Sequence, residues 1–199
     1  MIIMYTNKIF RNLTSVIFFL FVHNNVFAQG KNIIKLNCTD FILSRYSMGF
    51  ERNIANSFAL AIDLDFIKQN KTLESNHPFL YPLLMATKKG FVIEPQLRFY
   101  LKSNELEGFY TSFSGIFGYA EYKPYDSSGY IENDDWSSIG ASLSLGYQIL
   151  ILKRIALDIF FGCTLADDNY PQPYYESTVL VPAPDGIRPS GGMKLGFIF

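Results

Sequence analysis

The sequence has little charge, and after its first 28 residues it has no long apolar run. Charged residues make up 18% of the chain, below the roughly one quarter that is usual in soluble globular proteins. Acidic and basic residues nearly balance, so the chain lacks the basic surface typical of nucleic-acid binding. No later segment approaches the roughly 20 continuous apolar residues of a transmembrane helix. The sequence therefore predicts neither a nucleic-acid-binding protein nor a helical membrane protein.

Residues that carry catalytic or metal chemistry are also scarce. The chain has 2 histidines and 2 cysteines, and no segment has the spacing of a phosphate-binding loop or a zinc site. Two acidic pairs, Asp134-Asp135 and Asp167-Asp168, offer oxygen ligands for calcium. Neither pair has the ordered ligand spacing of a dedicated calcium loop. We therefore expect solvated acid pairs, no metal and no cofactor.

The N-terminal segment has the parts of a secretory signal peptide. Lys8 and Arg11 precede the apolar run LTSVIFFLFV, and a tolerable cleavage site, Val26-Phe27-Ala28, follows it. An uncleaved anchor helix is disfavoured because the run is short for a membrane span. We expect residues 1–28 to be the signal peptide and residues 29–199 the mature domain. Cleavage lowers the Lys plus Arg count from 17 to 15 against 18 Asp plus Glu, a formal charge of −3.

Apolar residues alternate with polar or small ones through almost all of the mature chain, which is the pattern of β-strands. In SIGASLSLGYQI, residues 138–149, the apolar side chains fall on one face, and Gly, Ser and Gln fall on the other. The segments RIALDIFFGCTL and SFALAIDLDF repeat this split. Eight strands are predicted in this way, at 31–38, 42–52, 57–67, 90–102, 108–122, 137–149, 153–166 and 190–199.

The connections between these segments alternate between short and long. Tight turns are predicted at 53–56, 103–107 and 150–152, and longer loops at 68–89, 123–136 and 167–189. The first connection, at 39–41, is short. Bacterial outer-membrane barrels combine an even number of antiparallel strands with short periplasmic turns and longer external loops. The pattern therefore predicts an all-β fold, an eight-stranded antiparallel up-and-down transmembrane β-barrel in the bacterial outer membrane.

The same alternation would fit a soluble up-and-down barrel such as a lipocalin, and the composition of the two faces decides between them. The interior of an eight-stranded barrel is just wide enough for side chains or one small ligand, too narrow for the many Phe, Leu, Ile and Tyr residues of the apolar faces. We therefore expect the apolar faces to contact lipid and the faces rich in Gly, Ser and Ala to line the lumen. Aromatic residues would form a girdle at the membrane boundary. These are Tyr46, Phe50, Phe58, Phe99, Phe109, Tyr147 and Phe199.

Three segments, MGFERNIANSFAL, FVIEPQLRFYL and GYQILILKRIALDIFFG, resemble those of a known group of proteins. They look like the strands and turns of small outer-membrane β-barrel proteins of a domain-of-unknown-function family, with an architecture similar to the OmpA transmembrane domain and OmpX. The resemblance covers most of residues 31–199 and implies a fold and a location, but no reaction. One departure is Pro95 in the fourth predicted strand. We interpret it as a β-bulge, because proline removes one ladder hydrogen bond.

Charged residues on the small-residue faces are expected to point into the lumen. Both signs occur there in near-equal numbers, which predicts a network of salt bridges and hydrogen bonds, because an unpaired buried charge is costly. A proton or ion path is the alternative, but a structural plug is favoured because such barrels are narrow. Tyr100 and Tyr110 are expected to fill the lumen as well. The predicted charge network comprises Lys35, Arg45, Glu51, Asp63, Asp65, Glu94, Arg98, Asp158 and Lys194.

The sequence favours a non-enzymatic role for this barrel. The predicted loops 68–89 and 167–189 contain PFLYPLLM and NYPQPYYE, and exposed apolar and aromatic stretches of this kind often mark contact surfaces. We expect these loops to contact an extracellular or envelope partner, a surface or lipopolysaccharide. One alternative is a lipid-modifying enzyme that uses His77 with Ser75 and Glu74, although a solvated loop histidine is the simpler interpretation. Another is a narrow passage for small apolar molecules.

The chain ends in GGMKLGFIF, an alternating segment whose last residue is aromatic. In the outer-membrane barrels that this chain resembles, a terminal aromatic residue is read by the barrel-assembly machinery. Phe197 and Phe199 are therefore the predicted assembly signal. We expect a monomer whose partners are outer-membrane lipids and this machinery.

Two cysteines remain in the exported protein, where a disulfide would be permitted. Residue parity places Cys38 and Cys163 on the lipid face of the first and seventh predicted strands. The intervening strand separates them by about 10 Å, which is too far for a disulfide. Both thiols are therefore expected to be free.

Overall fold

The computed structural model describes residues 32–42, 45–75, 83–102, 106–124, 135–152, 154–169, 174–176 and 186–199. These residues contain β1 (Asn32–Asn37), α1 (Cys38–Ile42), β2 (Arg45–Ala55), β3 (Phe58–Ser75), β4 (Leu83–Tyr100), β5 (Gly108–Pro124), β6 (Asp135–Ile151), β7 (Ile155–Asn169), β8 (Tyr174–Glu176) and β9 (Gly186–Ile198). All of the strands except the short β8 belong to the barrel wall.

The barrel is a single antiparallel sheet that closes on itself. Each wall strand pairs with the next one along the chain, and β9 pairs with both β7 and β1 to complete the circle. β8 pairs only with the last three residues of β3 and is not part of the wall. The prediction of an all-β, eight-stranded, up-and-down antiparallel barrel is therefore confirmed.

Both ends of the wall lie at the same end of the barrel. Asn32 and Phe199 exchange two backbone hydrogen bonds of 3.2 and 3.0 Å, which join the start of β1 to the end of the chain. The short β2–β3, β4–β5 and β6–β7 connections lie at this end as well, because the strands alternate in direction. We call it the turn end, and we call the opposite end the loop end.

Alternation along the strands places polar side chains inside the barrel and large apolar side chains outside it. On β6, Leu143 and Leu145 are 61% and 54% exposed, whereas Ser142 and Ser144 are each 8% exposed. Successive side chains of a strand point to opposite faces, so this contrast follows from the period-two sequence pattern. Other exposed apolar residues are Leu60, Leu64, Phe66, Phe91, Leu97, Phe113, Phe117, Ile159, Phe161, Leu165, Leu195 and Phe197. The aromatic residues of the predicted girdle are exposed, except Phe50, which is half-buried.

Several strands are longer than the sequence pattern indicated. β3 ends at Ser75 and β4 begins at Leu83, so most of the predicted loop 68–89 is a β-hairpin. In the same way, β7 and β9 extend into the predicted loop 167–189. These boundaries were wrong because they were placed where apolar alternation stops. The backbone ladder between β3 and β4 continues past that point to the pair Glu74 and Leu83.

The first connection contains a helix that the sequence pattern did not predict. α1 begins at Cys38 directly after β1, and β2 begins at Arg45 rather than at 42. Cys38 is therefore helical and not part of a strand, which corrects its predicted position. Cys38 and Cys163 are both free thiols. No helix among the described residues is both long enough and apolar enough to cross a membrane.

Pro95 does not produce the bulge that was predicted from it. Before the proline, Ile93 of β4 pairs with Phe117 of β5. After it, Gln96 pairs with Ser114, so the register is the same on both sides. The missing proline N–H interrupts the ladder locally, and no extra residue is inserted.

Candidate functional site

Four charged side chains form a compact group in the lumen near the turn end. Arg98 Nη1 lies 2.8 Å from Asp158 Oδ2 and 3.1 Å from Glu51 Oε2. Lys35 Nζ lies 2.7 Å from the same Asp158 oxygen and also contacts Glu51 Oε2. All four side chains are at most 2% exposed. We call Lys35, Glu51, Arg98 and Asp158 the inner charge cluster, and its formal charges sum to zero.

Two tyrosines satisfy the other oxygens of the cluster's carboxylates. Tyr100 Oη donates a hydrogen bond of 2.6 Å to Glu51 Oε1. Tyr110 Oη donates one of 2.6 Å to Asp158 Oδ1. Gly146 lies against the Tyr110 ring, and a Cβ at this position would overlap that ring. The glycine thus leaves the space through which Tyr110 reaches Asp158.

Leu106, which lies between β4 and β5, fills the lumen at the turn end. Leu106 is 1% exposed and belongs to a buried apolar group that includes Ile33 and Tyr100. Gln148 Nε2 donates a hydrogen bond of 2.7 Å to the Leu106 carbonyl oxygen, and Gln148 Oε1 accepts one from Lys35. Gln148 therefore links the inner charge cluster to Leu106.

A second polar group lies beside the inner charge cluster. Lys194 Nζ is 2.5 Å from Asp63 Oδ2, and Gln96 Nε2 donates to the same oxygen. Gln96 Oε1 accepts hydrogen bonds of 3.1 and 2.9 Å from Arg98 Nε and Nη2. The Lys194 ammonium also lies 4.7 Å from the centre of the Phe160 ring. Gln96 thus connects the Asp63–Lys194 pair to the cluster.

Hydrogen bonds connect helix α1 to the end of β1 and to β9. Asn37 Oδ1 accepts hydrogen bonds from Thr39 N at 3.2 Å and Thr39 Oγ1 at 2.6 Å. Asn37 Nδ2 donates one of 2.6 Å to Asp40 Oδ2. The β9 backbone N–H of Met193 donates to Thr39 Oγ1 at 3.2 Å. Burial raises the pKa of the Asp40 carboxyl group.

A polar cavity of about 380 Å³ occupies the lumen next to these groups. Its wall is rich in hydroxyl groups, from Ser47, Ser112, Ser114, Ser138, Ser142, Ser144, Thr164 and Ser190. The carboxyl groups of Asp40, Asp63, Asp65 and Glu94 also line it. Asp65 Oδ1 is buried and has no hydrogen-bond partner among the described residues. The cavity wall therefore combines hydroxyl groups with several carboxylates.

Aromatic and aliphatic side chains narrow the lumen towards the loop end. The buried members of this group are Ile67, Ala86, Val92, Ile116, Ala120, Tyr122 and Trp136. Lys88 Nζ lies 3.6 Å from the centre of the Trp136 ring and 5.3 Å from the centre of the Tyr122 ring. This geometry is a cation–π contact, which attracts the ammonium group to the ring faces.

The structure places the nine charged residues of the predicted network in the lumen but divides them. Four form the inner charge cluster, and Asp63 and Lys194 pair with each other. The other three, Arg45, Asp65 and Glu94, line the cavity. The predicted network therefore consists of one neutral cluster, one ion pair that Gln96 connects to it, and three further residues of the cavity wall.

The predicted network did not include five residues that the structure places in the lumen: Asp40, Lys88, Gln96, Trp136 and Gln148. Gln96 and Gln148 share the inward parity of the charged residues, so parity alone would have found them. The other three lie in segments that were predicted to be turns or loops, where parity was not applied. Uncharged amides and loop residues thus complete a site that was predicted from charges alone.

The predicted assembly signal lies at the turn end. Phe197 and Phe199 are exposed on the outer surface of the barrel. Phe197 pairs with Ile34 of β1 and with Ile155 of β7, so it is held between two neighbouring strands.

The remaining candidate residues lie outside the described residues or have another partner. His77 and Asp134 lie outside the described residues, as do the side chains of Glu74 and Ser75. Asp168 forms an ion pair with Arg188, which does not support its interpretation as a calcium ligand. In the part of the chain that the structure describes, no three His, Cys, Asp or Glu side chains are arranged to hold a metal ion.

A family model matches residues 14–180 of the chain, and its description is "Protein of unknown function (DUF3575)". No curated protein and no solved structure matches the chain. The matched range includes all of the strands from β1 to β8. The family description states no activity, ligand or partner.

Proposed function

The chain belongs to this family of unknown function, and we propose that it is a non-enzymatic β-barrel of the bacterial outer membrane whose lumen is plugged by polar side chains. The membrane location, the cleaved signal peptide and the likeness to the OmpA transmembrane domain and OmpX are parts of this proposal. Its turn end would face the periplasm and its loop end the outside of the cell.

The observation that carries the proposal is the reversed distribution of polar and apolar side chains. Phe113, Leu143 and Phe161 are 59%, 61% and 67% exposed, while Lys35 and Asp158 are buried. In water, burial of apolar surface is the dominant favourable term in folding, so a soluble barrel would place the large apolar residues inside. The reverse arrangement is favourable where acyl chains surround the protein.

The height of the apolar surface supports the same conclusion. On β5 the outward-facing positions carry no charge over residues 109–119, and the next one is Glu121. On β7 they carry none over residues 155–165, and the next one is Asp167. About ten residues at about 3.4 Å each, tilted by about 40°, span about 26 Å along the barrel axis, close to the apolar band of about 25 Å in outer-membrane barrels.

A line of charged residues marks the loop-end boundary of this band. Lys68 pairs with Lys89 across β3 and β4, and Lys89 pairs with Glu121 across β4 and β5. Glu121 in turn pairs with Asp135 of β6. The outer surface therefore changes from apolar to charged at one level across four strands, as expected where acyl chains meet headgroups.

Arginine substitutions at two depths of one strand test the membrane location. In a lipid-facing position, arginine costs about 2–4 kcal/mol at the bilayer midplane and about 0–1 kcal/mol near the interface. We therefore expect Leu143→Arg, in the middle of the band, to lower the free energy of unfolding by about 2–4 kcal/mol in lipid vesicles. Ser137→Arg, on the same outward face near the rim, should lower it by at most about 1 kcal/mol. Urea unfolding of the refolded proteins measures both values.

The matched control distinguishes a membrane effect from a general cost of the larger side chain. Equal stabilities of the Leu143→Arg and Ser137→Arg proteins would refute the lipid-facing band. Fractionation of cells that produce the unmodified chain gives an independent test. Recovery in the soluble periplasm, rather than in the outer membrane, would refute the location.

The proposal also includes contact between the external loops and an extracellular or envelope partner. The predicted contact segments in 68–89 and 167–189 lie partly outside the described residues. Their described parts support the proposal, because β3 and β4 continue beyond Lys68 and Lys89. In the proposed orientation, this hairpin would project from the membrane surface.

A further inference from the structure

Most of the cations that line the cavity are already engaged by carboxylates. Five acidic and four basic residues line it. Arg98 belongs to the inner charge cluster, which is neutral as a group. Arg188 pairs with Asp168, and Lys194 pairs with Asp63. These three cations therefore leave little positive charge for the other carboxylates.

The residues that remain carry an excess of negative charge. They are Asp40, Asp65 and Glu94, with Arg45 as the one cation among them. Three carboxylates and one guanidinium sum to a formal charge of −2 when all are ionised. Uncompensated charge is costly in a buried site, so the cavity favours the uptake of positive charge from elsewhere.

Several buried polar atoms in the cavity wall, Arg45 Nε and Ser190 Oγ among them, lack a hydrogen-bond partner among the described residues, and two others point independently to a bound group. Asp65 Oδ1 is an acceptor and Trp136 Nε1 a donor, and neither has a hydrogen-bond partner among the described residues. Both side chains are 7% exposed, and both line the cavity. Buried polar atoms nearly always have partners in folded proteins, so these two indicate that something else occupies the cavity.

The size and walls of the cavity favour an organic cation over a metal ion. Its volume of about 380 Å³ lies within the roughly 300–1,000 Å³ of small-molecule sites. Val92 and Ile116 supply buried apolar surface beside Trp136. Among the described residues, no group of side chains is arranged to hold a metal.

We propose that the lumen cavity binds a small organic cation, with ammonium groups on Asp65 and Glu94 and a hydrocarbon part against Val92 and Ile116. This inference concerns the interior of the barrel and does not depend on the membrane location. A soluble barrel with the same lumen would bind the same ligand.

Trp136 provides the reporter for a binding test, because it is the only tryptophan in the sequence and it lines the cavity. The protein would be refolded in detergent in the presence of increasing 1,5-diaminopentane, and the tryptophan emission would be recorded. Parallel titrations would use 1,5-pentanediol, glutarate and calcium chloride. We expect a saturable change with the diamine and none with the other three at the same concentrations. A heat-modifiable gel shift would verify folding in every sample.

Substitutions of the cavity carboxylates then locate the site. Asp65→Asn and Glu94→Gln each remove one negative charge with little change in shape. We expect each to weaken diamine binding at least tenfold. Asp167→Asn is the matched control, because it removes the same charge from an exposed position outside the cavity, and it should leave binding unchanged.

The unmodified protein alone can overturn the proposal, even if a variant fails to fold. A response to the diol as large as that to the diamine would show that charge is not recognised. An equal response to calcium chloride would show that an organic cation is not required. No saturable response to the diamine, or an unchanged affinity in the folded Glu94→Gln protein, would also refute the site.

Discussion

Replacement of Arg98 by methionine would test how much the inner charge cluster contributes to stability. Methionine retains an unbranched chain but removes the guanidinium that lies 2.8 Å from Asp158 and 3.1 Å from Glu51. Only Lys35 would then face two carboxylates, which leaves the cluster with a formal charge of −1. Because Arg98 is only 2% exposed, water cannot reach the two carboxylates in its place unless the structure rearranges.

The expected loss is about 3–5 kcal/mol of the free energy of unfolding, the usual cost when one partner of a buried ion pair is removed. Glu51→Gln alone should also destabilise the protein, because it leaves two cations facing Asp158. The double substitution restores neutrality and keeps the Lys35–Asp158 contact of 2.7 Å. Its cost should be smaller than the sum of the single costs by about 0.5–3 kcal/mol, the range for residues within one network.

Urea unfolding in lipid vesicles, followed by tryptophan emission, would measure the four proteins of this cycle. Arg154→Met is the matched control, since Arg154 lies exposed in the turn between β6 and β7. It should change the free energy of unfolding by no more than about 0.5 kcal/mol. Similar stabilities of the Arg98→Met and Arg154→Met proteins, or strict additivity in the double variant, would refute the account of the cluster as a coupled network.

Two other properties can be tested without changing the lumen. Reconstituted protein should show no steady porin-like conductance in planar bilayers, because paired charges, Tyr100 and Leu106 fill the lumen at the turn end. Large, regular single-channel steps would contradict this plug. Deletion of Phe199 removes an exposed side chain and the two backbone hydrogen bonds with Asn32. The truncated protein should still refold in detergent, but its amount in the outer membrane should fall, and normal assembly in cells would contradict the role as a signal.

The architecture could be predicted from the sequence because inside and outside positions differ at every second residue. Leu143 and Ser144 are neighbours in sequence, yet one faces outward and the other lies in the lumen. This contrast persists along each strand, so each alternating segment marks one strand, and a closed barrel leaves no strand edge unpaired. The number of strands and their antiparallel order could therefore be predicted from the alternating segments and the turns between them.

The ends of the strands and the partners inside the lumen could not be predicted in the same way. Beyond Lys68 the ladder continues through backbone hydrogen bonds, which leave no apolar pattern in the sequence. Parity also shows which face a charge occupies but not its height along the barrel. Glu51 and Arg98 meet although they are 47 residues apart, and only the stagger between strands brings them to the same level.

The two groups of lumen charges should respond in opposite ways when a charge is removed. The inner charge cluster is neutral, so the loss of any one member creates an uncompensated buried charge and destabilises the barrel. The cavity group of Asp40, Asp65, Glu94 and Arg45 has an excess of two negative charges when all four groups are ionised. Loss of the Glu94 charge therefore reduces repulsion within that group, and it should preserve or raise stability while it weakens cation binding. The local sum of charge, rather than burial alone, thus separates the residues that hold the barrel together from those available for a ligand.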